Sequence, residues 1–224
     1  MKTKSIADIN TAGKTVLMRV DFNVPLDADG KITNDNRIQA ALPSIQKVIA
    51  DGGKLVVMSH LGRPNGHVAP EFSLAPAAVR LGELIGKEVK LGPADAIAGD
   101  DTKALIAAMA PGDVVCLENV RFDSREDTKD DIALVEQFGA ELATLGDIYV
   151  NDAFGTCHRK HASMWACPKA VQAKGGAAVA GMLVEKEIKY LHDSLAEPKR
   201  PFIAILGGAK VSDKIKLIST LLDK

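Results

Sequence analysis

The chain has 224 residues, 46% of them hydrophobic and 25% charged, with a formal net charge of −1. That length holds one large domain or one domain and part of another, and the near-neutral charge excludes a general attraction to nucleic acid or to a membrane surface. Cys116, Cys157 and Cys167, an odd number without paired spacing, argue against a disulfide framework and favour a reducing, cytoplasmic setting, while no run of signal-peptide or membrane-span length is present.

Short β-rich runs alternate with helical patterns along the chain. The first run is Thr15–Val20. Gly13-Lys14-Thr15 just ahead of it resembles the end of a P-loop, but Asp8 stands where the first glycine belongs, and a strand rather than a helix follows. Asp27-Ala28-Asp29-Gly30 reads as an acidic turn, because the later calcium-ligand positions are lacking. Ile38, Ala41, Leu42, Ile45, Val48 and Ile49 then recur on one helical face, stopped by Gly52 and Gly53. A second run over 54–59 leads to a helix carrying Leu74, Ala78, Leu81, Leu84 and Ile85. Runs at Val89–Leu91 and 114–117 follow, then a helix with Ile132, Val135, Phe138, Leu142 and Leu145, then a run at 148–150. From 162 to 181 the chain turns to Ala, Gly and Val, and periodicity is lost. A helix is expected over 183–195, a break at Pro198 and Pro201, and a new strand at 202–206 ahead of Gly207 and Gly208. This alternation predicts an α/β fold: a parallel-sheet, three-layer αβα, Rossmann-like N-terminal domain, with the beginning of a second α/β domain. The expected division is residues 1–181, an interdomain helix over 182–200, and the start of a second domain over 201–224.

Four of the eight arginines follow predicted strands: Arg37, Arg63, Arg121 and Arg159. In a parallel sheet those loops emerge at the carboxyl edge, where open α/β sheets bind ligands. A single loop arginine is ordinarily a solvated charge. Four on one edge repel one another unless an anion joins them, and the guanidinium fork matches carboxylate and phosphate. His60, His158 and His161 fall in the same loops without metal-ligand spacing, and Asp21 and Asn23 end the first strand as either caps or acceptors for a substrate hydroxyl. Near the end, Gly207, Gly208, Lys210 and Lys214 sit where a strand gives way to a helix, a place for backbone N–H groups to hold phosphate.

RVDFNVP at 19–25, SHLGRP at 59–64, LENVRF at 117–122, NDAFGTCHR at 151–159 and ILGGAKVSDK at 205–214 together resemble the phosphoglycerate kinase family along essentially the whole chain. The resemblance implies an ATP:3-phosphoglycerate 1-phosphotransferase of glycolysis and gluconeogenesis, making 1,3-bisphosphoglycerate and ADP. It implies that Asp21, Asn23, Arg37, His60, Arg63, Arg121 and Arg159 form the 3-phosphoglycerate site. Gly207, Gly208, Lys210 and Lys214 would lie on the nucleotide side, with Arg37 and Lys214 catalytic. Mg²⁺ would arrive with ATP or ADP and have no protein ligand in this chain. A complete member is expected to be a cytoplasmic monomer without nucleic-acid or membrane partners. Cys157 departs from the family's usual alanine, and family chains run to nearly twice this length. The 224 residues alone are therefore expected to bind 3-phosphoglycerate without turning it over, the alternative to a competent kinase being a non-catalytic fragment that binds the acid only.

The chemistry suits such equipment. A carboxylate nucleophile is already ionised near pH 7 and needs no general base. The barrier lies in bringing two anions together in line, so positioning and charge neutralisation across a closing cleft would supply the catalysis.

Overall fold

The structure, a computed structural model, describes residues 4–196 together with Pro201, Ile203, Ile205, Ile215, Ile218 and Ser219. Chain contacts divide it into two units, Met1–Val184 and Glu185–Lys224.

The first unit is built on a six-stranded sheet. Its strands are β1 (Thr15–Val20), β2 (Lys54–Met58), β3 (Val89–Leu91), β4 (Val114–Cys116), β5 (Ile148–Asp152) and β6 (Ala177–Ala180). They run in the order β3-β4-β2-β1-β5-β6, and every pairing is parallel. The helices are α1 (Asn36–Ala50), α2 (Ala75–Ile85), α3 (Asp100–Ala107), α4 (Ile132–Ala143), α5 (Cys167–Ala173) and α6 (Met182–Ala196).

Two cores explain the near-continuous apolar strands. On one face, Val16, Met18 and Val20 of β1 pack with Ile38, Ala41, Ile45 and Val48 of α1 and with Ala77, Ala78 and Leu81 of α2. On the other, Leu17, Val56 and Val115 pack with Val135, Phe138 and Leu142 of α4 and with Cys167 and Val171 of α5. A strand buried on both faces has no polar side to display, so alternation gives way to a run. Each fully buried aliphatic side chain contributes about 2 kcal/mol relative to exposure. All strands point the same way, so the loops after β1, β2, β4 and β5 gather at one edge, over the four central strands.

The five strands expected between residues 15 and 150 and the three amphipathic helices stand, with shifts of up to three residues at their ends. The stretch 162–181 differs from expectation: it contains one π turn over Ala162–Ala166, then α5, then β6. Its small residues carry little hydrophobic contrast, and packing against α4 and β5 decides its structure instead. Helix α3 was also not foreseen; it buries only Thr102 and Ile106, too few positions for a periodic signal. The acidic turn at 27–30 closes a short antiparallel bridge between Leu26 and Ile32, with Asp27 Oδ1 accepting from the N–H groups of Asp29 and Lys31.

In the second unit, the described part of α6 exposes Ile188, Tyr190 and Leu191, and Ile203, Ile205 and Ile215 are exposed as well. The strand expected at 202–206 and the helix after Gly208 fall largely outside the described residues. Gly207, Gly208, Lys210 and Lys214 lie wholly outside them. No described helix is long and apolar enough to cross a membrane.

Candidate functional site

A cavity of about 270 Å³ opens at the carboxyl edge of the sheet, lined by Asp21, Asn23, Arg37, His60, Gly62, Arg63, Arg121, Gly155, Thr156 and Arg159. All seven residues expected at the acid-substrate site line it. Two larger cavities lie elsewhere, one beside Lys87, Lys90 and Met109 and one beside Lys14, Asp147 and Lys174. Neither gathers arginines.

Each strand end delivers its part. Asp21 and Asn23 follow β1 directly. Asp21 Oδ2 accepts from Arg37 Nη1 at 2.5 Å, and its Oδ1 accepts from the N–H of Asn23 at 3.3 Å. The acid is thus already engaged with a cation, which corrects the expectation of four mutually repelling arginines. Arg121 is likewise balanced: its Nη1 donates to Gly62 O at 2.7 Å, and its Nε faces Asp127 at 3.3 Å without hydrogen-bond alignment. Arg63 and Arg159 differ. Both are exposed, and neither guanidinium has a hydrogen bond or ion pair among the described residues.

Gly62 shows why the loop after β2 needs glycine. Its φ is +58°, and an added Cβ would meet the Phe72 ring at 2.4 Å. That conformation aims its N–H at Asn23 Oδ1, 2.9 Å away, while its carbonyl takes the Arg121 contact. Asn23 therefore spends its oxygen on the scaffold and keeps its amide N–H groups to donate. Gly155 also lies against Asp21, with a Cβ position 3.2 Å from Oδ2.

His60 is 5% exposed. Burial, then the neighbouring Arg19, Arg121, His161 and Arg37, push its pKa down to about 2, so the ring is neutral. His161 is pushed down to about 4, first by burial, and its Nδ1 lies 3.8 Å from Glu126 Oε1. His158 is exposed and does not line the cavity. Cys157 is exposed, and its thiol pKa is raised, chiefly by burial of the sulfur.

Sequence reasoning did not single out Gly62, Gly155 and Thr156, or the group behind the cavity: Arg19, Ser163 and Glu126. Arg19 carried a signal, as a charged residue inside an apolar strand. Ser163 and Glu126 carried none. Among the described residues, no group of three His, Cys, Asp or Glu side chains is placed to hold a metal ion.

The sheet and its site define an open, parallel α/β protein of Rossmann-like architecture with a cation-lined cleft at the carboxyl edge. The profile of the phosphoglycerate kinase family matches residues 6–224, and the chain belongs to that family. Phosphoglycerate kinase of Chloroherpeton thalassium is 53% identical over 224 residues, spanning 100% of this chain and 53% of that protein. The Rhodopirellula baltica enzyme of the same name is 54% identical over 223 residues, 99% of this chain and 54% of its own length. The solved phosphoglycerate kinase of Coxiella burnetii superposes with a TM-score of 0.83 at 40% identity, covering 99% of this chain and 52% of that one. The Pyrococcus horikoshii structure gives 0.84 at 34% identity, covering 98% and 52%. The chain thus spans about half the length of the relatives it matches.

Proposed function

We propose that the cavity holds 3-phosphoglycerate. We propose further that in the whole protein this unit serves reversible phosphoryl transfer between ATP and the substrate carboxylate, giving 1,3-bisphosphoglycerate and ADP. The observation that carries the reading is the pair of guanidiniums without a partner among the described residues, Arg63 and Arg159, on a cavity whose other cations are already balanced by acids or carbonyls. A small dianion would complete that arrangement.

The roles follow from what each side chain has left to give. Arg63, Arg159, Arg121 and His60 donate to the phosphate. Asn23 donates through its free amide, and Asp21, held by Arg37, accepts from the hydroxyl of the substrate. Arg37, whose side chain is 50% exposed, sits beside the carboxylate and can turn toward charge developing on the transferring group. The carboxylate is its own nucleophile, so no described residue needs to remove a proton.

Residues 1–181 then form the acid-binding domain, 182–200 the connection, and 201–224 the start of the nucleotide domain. Gly207, Gly208, Lys210 and Lys214 belong to the nucleotide side by family resemblance. Mg²⁺, carried on the nucleotide phosphates, would supply charge neutralisation there. A cytoplasmic monomer fits this role.

Isothermal titration of the chain with 3-phosphoglycerate tests the site. Arg63→Ala and Arg159→Ala should each weaken binding about tenfold or more, the scale of one charge-assisted hydrogen bond. Unaltered affinity in both variants puts the site elsewhere. Binding by a full-length protein that shows no ATP-dependent turnover would favour a non-catalytic binding role.

A further inference from the structure

Arg19 is the one charged residue of β1, and it is completely buried. It does not line the cavity. All three of its nitrogens are committed in the interior. Nε donates to Ser163 Oγ at 2.9 Å, Nη1 donates to the carbonyl of Val20, and Nη2 lies 3.1 Å from His60 Nδ1. Behind it, Ser163 Oγ donates to Glu126 Oε1 at 2.6 Å, and the Ser163 N–H donates to Oε2 at 2.9 Å. Glu126 is 0% exposed. The serine hydroxyl accepts from the cation and donates to the carboxylate, so the guanidinium is anchored on the side away from His60.

A guanidinium has N–H groups only and cannot accept. The contact with His60 Nδ1 is therefore satisfied in one way: Nδ1 keeps its lone pair and accepts. A ring whose Nδ1 accepts carries its proton on Nε2, and a doubly protonated ring would set N–H against N–H. His60 Nε2 has no partner among the described residues and is not among the solvent-inaccessible orphan atoms. It is the ring nitrogen left to face the cavity.

We propose that Arg19 is a positioning residue that fixes His60 as the Nε2–H tautomer, so that the ring presents a neutral, permanently oriented donor to the anion in the cavity. The groups that weigh most on the charge of His60 are Arg19 from β1, Arg121, His161 and Arg37 of α1, and Asp21, which lines the same cavity, is already paired with Arg37. An imidazolium at this place would set its Nδ1–H against the Arg19 guanidinium, 3.1 Å away. The device removes the pH dependence that a histidine brings near neutrality, while keeping its hydrogen bond. It rests on reading the cavity as the 3-phosphoglycerate site, but the state of the ring can be measured without any ligand.

Long-range proton–nitrogen spectra of the chain labelled with ¹⁵N-histidine report it directly, with the His60 signals identified by their loss in His60→Gln. His60 should show an unprotonated Nδ1 and a protonated Nε2 from about pH 8 to about pH 5, while an ordinary histidine titrates near 6.5. Protonation of Nδ1 anywhere in that range in the wild-type chain overturns the proposal. Arg19→Met should release the ring, so that it titrates inside this window or populates both tautomers, and should weaken 3-phosphoglycerate binding about tenfold. Arg19→Lys, which restores a donor, should recover part of both. Weaker binding in Arg19→Met with an unchanged His60 spectrum would mean a purely structural arginine and would also overturn the proposal. Should Arg19→Met fail to fold, the wild-type titration alone decides. A wild-type ring that behaves as expected in a chain that does not bind 3-phosphoglycerate upholds the hold of Arg19 on the ring and removes the substrate reading instead.

Discussion

The seven polar and charged side chains expected at the cavity were legible because each follows a recognisable strand end, and a parallel sheet collects such ends at one edge. The residues behind them were not. Arg19 and Ser163 stand 144 positions apart, and only the packing of the Ala162–Ala166 turn brings them to 2.9 Å. The buried group has a consequence for stability. His60 and His161 are held down at about 2 and about 4, in both cases mainly by burial, whereas unfolded histidines titrate near 6.5. Below that pH the unfolded chain takes up two protons that the native chain refuses, so stability falls as pH falls. Glu126 acts in the opposite sense. Burial pushes it up to about 7 from an ordinary 4.5, so the native chain takes its proton first and gains stability as pH falls through that interval. Two protons against one leave these groups with a net loss of stability as pH falls from roughly 6 to 5. Glu126→Gln removes the opposing contribution and should steepen the decline. Urea denaturation of both proteins across this interval measures it, and equal slopes would show that Glu126 does not titrate there.

At the scale of elements, hydrophobic contrast determined what could be read. Helices α1, α2 and α4 each place a wide apolar stripe against the sheet, and all three were visible as periodic patterns. Strand β6 reads Ala-Ala-Val-Ala and is recognisable only by its pairing with β5 over Ile148–Asn151. Its end carries a joint that sequence could not suggest. Asp152, the last residue of β5, caps α6: its Oδ1 accepts from the N–H groups of Leu183 at 2.9 Å and Val184 at 3.2 Å. Gly181 passes directly over this carboxylate, and a Cβ there would stand 2.2 Å from Oδ1. The Met182 N–H is held by Ser44 Oγ at 2.8 Å, so the backbone cannot easily swing away. Gly181→Ala should displace the cap and destabilise the fold by about 2 kcal/mol, combining a lost cap with local overpacking. Asp152→Asn, which keeps an acceptor oxygen, should cost less. Chemical denaturation of the two variants ranks them, and a neutral Gly181→Ala would mean that the carboxylate has another place to go.

Across the whole molecule, the balance of 28 basic and 29 acidic residues hides a local excess of cation. Among the described residues Arg63 and Arg159 are unpaired at one edge, while Arg80 and Arg125 elsewhere are engaged by Asp35 and Glu83, and by Asp123 and Glu141. A ligand drawn by that edge should feel added salt, because a Debye length of about 10 Å at 0.1 M screens exposed charges. Under the proposed function, 3-phosphoglycerate affinity should fall several-fold as ionic strength rises, and the fall should be shallower in Arg63→Ala and Arg159→Ala, which leave less charge to screen. Turnover should behave differently from binding. Every residue assigned to the acid lies between Asp21 and Arg159, within the first unit, so binding needs that unit alone. In-line transfer also needs the nucleotide held at near-attack distance. The chain covers only about half the length of relatives that bear the kinase name. A purified polypeptide of these 224 residues should therefore bind the acid in a salt-sensitive way and give no signal in a coupled ATP assay. Steady ATP-dependent formation of 1,3-bisphosphoglycerate by that polypeptide, with its mass verified, would show that the residues of this chain suffice for both substrates.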